Sequence, residues 1–218
     1  MGVLISHLVY HKVILALPGF VAEPIRIMGV QEFFGSPAYG ANALWPDYVE
    51  QPTCPTLREY FLAKGYKDVV DVDYQDKRAG MNWDLNKPIP AEWHDTAAMI
   101  YDVGTIEHIA DSCRVLENYL RMTKAGGHIM IHTPVHGFFG HGLHTFSPEF
   151  IPETFKANGC EIRYLAFSSD SGKEIVVTMS ERGQWAFTPE VEHVLIWVVA
   201  QKVQVTGEFQ RIQQAYYQ

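Results

Sequence analysis

The stretch 101–134, "YDVGTIEHIADSCRVLENYLRMTKAGGHIMIHTP", restricts what this chain can fold into more than any other part of it. An apolar run ends on an acidic residue, and a glycine follows two positions later. A periodic segment then carries Val115, Leu116, Tyr119, Leu120 and Met122, and a double glycine leads into a second apolar run. Asp111 is placed to cap the periodic segment, and Lys124, Gly126 and Gly127 mark its end, so the spacing predicts a helix over 111–123. Strand, helix and strand in close succession imply a right-handed crossover between parallel strands.

The same alternation runs through most of the chain. "VILAL" at 13–17 reads as a short strand buried on both faces and ended by Pro18 and Gly19. Residues 23–55, dense in Pro, Gly, Asn and aromatics, read as an ordered but irregular insertion over a pocket mouth. A helix is expected over 56–64 with Thr56 as its cap and Gly65 as its stop. Strands are expected at 68–73, 97–102 and 128–133, then a helix over 148–158 capped by Ser147. Late strands at 161–167, 174–179 and 193–203 close the chain. The expectation is a single α/β domain over 1–218, Rossmann-like, with a mostly parallel seven-stranded sheet and an antiparallel terminal strand at its edge.

Composition narrows the function. The chain of 218 residues carries 17 Lys and Arg against 25 Asp and Glu, a formal net charge of -8, with no basic cluster. Sequence-independent nucleic-acid binding and attachment to an anionic membrane are therefore not expected. Cys54, Cys113 and Cys160 are far apart and form no C-x-x-C pair, which fits free thiols in a reducing compartment and a cytoplasmic protein. The apolar start, broken by His7, His11 and Lys12, is too short for a membrane span. Met1-Gly2 with Ser6 matches a myristoylation pattern, read as coincidence because no polybasic stretch accompanies it.

In doubly wound sheets ligands bind beyond the carboxyl ends of the strands. Those positions hold Pro18 and Gly19, Asp73 and Tyr74, Asp84 and Leu85, then Asp102, Gly104, Glu107 and His108, then Pro134 and His136. Carboxylates at successive strand ends suit a ligand with ribose hydroxyls, an exocyclic amine and a positive charge. No glycine-rich phosphate-binding motif is present.

In order and spacing "VDVDY", "WDLNKPIP", "DVGTIEHI", "GGHIMIHTP" and "HGLHTFSPEF", from about 69 to 159, resemble the class I S-adenosylmethionine-dependent methyltransferases, and within them a bacterial and phage group. The resemblance implies a Rossmann-like methyltransferase sandwich with S-adenosylmethionine as cofactor. It implies that Asp73 meets the ribose hydroxyls and that Asp84 and the Leu85 backbone meet adenine. Tyr74 is expected among the cofactor contacts, and the segment from Asp102 through Gly104 to Glu107 would line the methionine side. Leu17, Pro18 and Gly19 stand where the family has its first loop. That loop, "LALPGF", is degenerate, with one glycine and a proline where the family is glycine-rich.

The histidine-rich stretch "HTPVHGFFGHGLHTFSPEF" reads as an acceptor loop. His144 is the first choice for general base and His108 the second, with His136, His141 and Phe146 as substrate contacts. A metal held by His136, His141 and His144 matches no common zinc signature, and tight turns holding histidines against backbone carbonyls are the plainer reading, so no metal is expected. The expected activity is O-methylation of a small hydroxylated or sugar acceptor. The alternative is a methyltransferase-fold protein without activity, serving as a structural component of a homo-oligomer or a larger, phage-type assembly. The glycine-poor loop, the Pro- and aromatic-rich insertion and the tail "VTGEFQRIQQAYYQ" favour that alternative.

Overall fold

The computed structural model describes residues 2–4, 14, 16–19, 23–34, 55–169, 178–179, 185–186, 193–205 and 207–213. Its strands are β1 (Gly2–Leu4), β2 (Ile25–Met28), β3 (Glu32–Phe34), β4 (Val69–Asp73), β5 (Met81–Asn82), β6 (Ala97–Val103), β7 (Thr123–His136), β8 (Cys160–Ser168), β9 (Thr178–Met179), β10 (Trp185–Ala186) and β11 (Val194–Lys202). The helices are α1 (Leu57–Ala63), α2 (Ser112–Met122) and α3 (Phe150–Ala157). Seven strands form the main sheet in the order β5-β4-β2-β6-β7-β11-β8. β11 runs antiparallel to both β7 and β8, and the other pairs are parallel. The expected α/β sheet is present, but the antiparallel strand is interior rather than at the edge. The last strand returns and slots between β7 and β8, so that both of its sides are hydrogen-bonded.

Successive residues of each strand face opposite layers, and both layers are covered, which is why the strands read as continuous apolar runs. On one face Met28, Val72, Ile100, Ile129, Ile131 and Val198 pack under Val115, Leu116 and Tyr119 of α2 and Ile151 and Phe155 of α3. On the other face Ile25, Ile27, Val69, Met99, Tyr101 and Trp197 pack against Leu57 and Phe61 of α1. Thr56 caps α1 through a reciprocal pair with Glu59, as expected, and Asp111 caps α2 by accepting from Arg114 N. Ser147 does not cap α3. Glu149 holds that position with helical backbone, and the Ser147 carbonyl accepts from Phe150 N instead.

The start of the chain differs most from expectation. The first strand of the main sheet is Ile25–Met28, inside the stretch expected to be irregular; of the strand expected at 13–17, residues 13 and 15 lie outside the described residues. Ile14 is helical and fully buried, and Leu17 N closes a turn onto its carbonyl at 3.1 Å. A short apolar run does not distinguish a buried strand from a buried turn of helix. The true strand was hidden because Arg26 interrupts its apolar pattern, a charge met by Asp68 Oδ1 at 2.8 Å. Of the strand expected at 174–179, Thr178–Met179 pairs with β10 apart from the main sheet, and 174–177 lie outside the described residues. Among the described residues no helix is long and apolar enough to cross a membrane.

Candidate functional site

The chain winds outward in opposite directions from β2 and β6, which are neighbours in the sheet. A crevice therefore opens beyond their carboxyl ends, where doubly wound sheets take their ligands. A cavity of about 560 Å³ lies there, within the ~300–1,000 Å³ usual for small-molecule sites. Its wall includes Gly29 after β2, Asp73 and Tyr74 at the end of β4, Trp83, Asp84 and Leu85 after β5, and Thr105 and His108 after β6.

Gly29 makes the first turn. Its φ of +76° lies in the left-handed region that glycine enters without a Cβ penalty. Its N–H donates to Val72 O at 2.8 Å, and the turn sends Val30 N to Asp73 Oδ2 at 3.0 Å. Asp73 Oδ1 accepts from Gln75 N at 2.9 Å and Asp76 N at 3.0 Å. Burial raises the pKa of this carboxyl, but the three backbone N–H groups together outweigh it and hold the group below the usual range. A carboxylate has about four acceptor sites, so Asp73 keeps one for a ligand while fastening two loops.

Asp84 Oδ1 accepts from the side chain and backbone of Asn86, both at 3.0 Å, and these bonds lower its pKa. Its Oδ2 faces Lys87 Nζ at 3.9 Å. The Trp83 N–H donates to Asp73 O at 3.0 Å, and its ring stands edge-on to Trp93. The buried indole Nε1 of Trp83 has no partner among the described residues. Opposite, the Thr105 hydroxyl donates to Met28 O at 2.7 Å, and buried Gln31 bonds both Met28 O and Thr105 Oγ1.

Of the expected residues, Asp73, Tyr74, Asp84, Leu85 and His108 meet at this cavity. Leu17, Pro18 and Gly19 do not line it, because they lie in the turn after Ile14 and not after a sheet strand. Asp102 is fully buried and turned away from the cavity. It accepts from Thr105 N at 2.8 Å, Ile106 N at 3.1 Å and Tyr119 Oη at 2.7 Å, and so holds the turn that carries Thr105 and His108. Burial pushes its pKa up to about 6 against those three donors. Gly104, with φ +82°, and buried Glu107 also stand behind the wall, the glycine leaving room for Glu107 Oε1.

The acceptor-loop expectations divide. His144 Nε2 lies 3.0 and 3.1 Å from the carbonyls of Ile109 and Ala110, a tie that orients the ring, and His144 is not part of the cavity wall. Phe146 is a buried core residue stacked on Phe150 and is not part of the cavity wall. His136 is exposed at the end of β7 and is not part of the cavity wall. His141 stands beside His108, with ring centroids 5.1 Å apart. Gly29, Trp83 and Thr105 were not foreseen as site residues. The signal for Gly29 is the alternation "PIRIMGV", an apolar-polar-apolar run closed by glycine.

No protein-family model and no curated protein matches the sequence. Solved structures do. An S-adenosylmethionine-dependent methyltransferase of Mesorhizobium loti superposes with a TM-score of 0.53 at 13% identity, over 90% of this chain and 97% of that one. A Bacillus halodurans protein assigned as a methyltransferase gives 0.53 at 12% identity, over 90% and 99%. A Haloferax volcanii protein so assigned, solved with its Trm112 activator, gives 0.50 at 13% identity, over 91% of each chain. At these identities the likeness is one of fold. The chain has the fold of the class I methyltransferases over nearly its whole length.

Proposed function

We propose that this chain is an S-adenosylmethionine-dependent methyltransferase acting on the oxygen of a small hydroxylated or sugar acceptor. The observation that carries the reading is the convergence of Gly29, Asp73 and the Asp84-Leu85 pair on one cavity at the switch point of the sheet. The residues fit the group. The remaining acceptor site of Asp73 suits a ribose hydroxyl, Asp84 Oδ2 suits an exocyclic amine, and Leu85 gives an adenine ring an apolar floor. Acidic walls also favour a sulfonium and disfavour a phosphorylated ligand.

When bound, S-adenosylmethionine supplies an activated methyl group, which passes to the acceptor as the carbon–sulfur bond pair returns to sulfur. The task of the protein is then alignment and exclusion of water, worth on the order of 7 to 11 kcal/mol at best. His108 is the imidazole on the cavity wall, and it is where an acceptor hydroxyl would be handled. Burial and the neighbouring His141 lower its pKa, so it is neutral near pH 7. Of the features that favour the structural alternative, the glycine-poor "LALPGF" is not the loop after the first strand of the main sheet; Gly29 stands in that loop.

Thermal denaturation with adenosylhomocysteine tests the reading. Ligand at one hundred times its dissociation constant adds about 2.7 kcal/mol and raises Tm. Asp73→Ala is expected to abolish the rise, and His108→Ala to keep it while slowing turnover. No rise at millimolar ligand returns the chain to the structural alternative.

A further inference from the structure

Behind the cavity wall Glu107 is a carboxylate without a matched counter-charge. It is 1% exposed. Its Oε2 accepts from Thr133 Oγ1 at 3.0 Å, and its Oε1 faces His108 Nε2 and His141 Nε2, each at 3.9 Å. Neither distance is a hydrogen bond. Among the described residues no lysine or arginine forms an ion pair with it. Burial, and Asp102 beside it, push its pKa up to about 8, so it keeps its proton near pH 7 unless a positive charge displaces it.

The arrangement is built into the fold. The Glu107 carbonyl accepts from Leu143 N at 2.8 Å and His144 N at 3.0 Å, which fastens the turn carrying His141 against this residue. A Cβ on Gly142 would meet that carbonyl at 2.9 Å, so the close approach requires glycine. One carboxylate oxygen and two imidazole nitrogens thus lie within 4.8 Å of one another.

We infer that Glu107, His108 and His141 form a binding site for a divalent transition-metal ion at the wall of the cavity. Two imidazoles and a carboxylate are the donor set that zinc, cobalt and iron take. An ion about 2.1 Å from each ligand needs ligand separations of about 3.0 to 3.4 Å. The 3.9 Å pairs reach this by small rotations of two side chains that are 35% and 50% exposed. This trio replaces the one weighed from sequence: His144 is held by backbone carbonyls, and the carboxylate comes from the preceding strand end. Three protein ligands leave positions open, and His108 places them beside the cavity. They suit the oxygen atoms of a hydroxylated acceptor, whose O–H proton is lost to water more readily when a cation holds the oxygen. That role for the ion rests on the methyltransferase reading; the ion site itself does not.

The test uses the tag-free full chain, stripped with chelator and dialysed. It is titrated with cobalt(II), followed by visible absorption, and with zinc(II), followed by calorimetry. Saturable uptake of one equivalent is expected. His141→Ala, a half-exposed position whose folding is checked by circular dichroism, is expected to weaken binding by more than about 100-fold, beyond the usual effect of a merely supporting residue. Its thermal response to adenosylhomocysteine should persist. The inference is overturned by no saturable uptake at millimolar cobalt or zinc, or by uptake unchanged in both His108→Ala and His141→Ala. A chain that takes up the ion yet ignores adenosylhomocysteine would overturn the functional reading alone.

Discussion

Asp71 lies in the middle of β4, two residues before the cavity carboxylate Asp73. It is 3% exposed, and its Oδ1 has no hydrogen-bond partner among the described residues. Burial pushes its pKa up to about 6; Arg58 opposes the rise, and Asp73 and Asp76 add to it. The folded state therefore holds this proton more tightly than an unfolded aspartate, which titrates near ~3.9. The stability it contributes is complete below about pH 4 and is lost as the pH rises through about 6. Asp71→Asn removes the ionisation. The variant should nearly match the wild type at pH 4 and exceed it by on the order of 3 kcal/mol at pH 8, read from urea denaturation at each pH. An equal difference at both pH values would sink the assignment. Asp71, Asp73 and Asp102 also mark what was legible residue by residue. Strand-end position announces Asp73 and Asp84, because the carboxyl ends of the strands are where such folds bind ligands. It does not announce which way a side chain turns. Asp102 has the same kind of address as Asp73 and is spent on Thr105, Ile106 and Tyr119.

At the scale of elements, helices announced by both cap and stop were read nearly to the residue, because side chains close their own ends. Thr56 with Glu59 fixes the start of α1, and Asp111 fixes that of α2. β2 is the opposite case. Its four residues draw their stability from β4 and β6 on either side, and the only local marks are a short alternation with a proline before it and a glycine after. The sequence pattern therefore points to 17–19 for the first loop, one segment before Gly29. The left-handed turn at Gly29 can be tested directly. Gly29→Ala forces a Cβ into that conformation, at a cost of about 1–2 kcal/mol. Because Val30 N would shift from Asp73, the thermal response to adenosylhomocysteine should also fall. Urea denaturation reads the first effect and ligand-dependent Tm the second. A variant as stable and as responsive as wild type would mean that the turn neither stores strain nor shapes the cavity.

Across the whole molecule the sheet divides the labour between its halves. β7, β11 and β8 pair over long registers, and β11 is bonded on both sides. β5, β4 and β2 pair over two to four residues each and carry the cavity at their ends. The last described strand is thus central to the sturdier half, and Trp197 at its middle is fully buried, with Nε1 donating to Ser168 Oγ at 2.9 Å. Local stability follows the density of buried contacts and paired backbone. Amide exchange should therefore run as a gradient across the sheet. Val194–Lys202 should exchange only on global unfolding, Val69–Asp73 sooner, and Met81–Asn82 at the edge soonest of all. Bound adenosylhomocysteine should slow exchange at Val30 and in Val69–Asp73 by the same factor as global unfolding, because an opening of the crevice loses the whole of the ligand's binding free energy. Equal exchange in all strands without ligand would mean that the sheet opens as one unit. Unchanged exchange at Val30 with a raised Tm would mean that the ligand binds away from the crevice between β2 and β6.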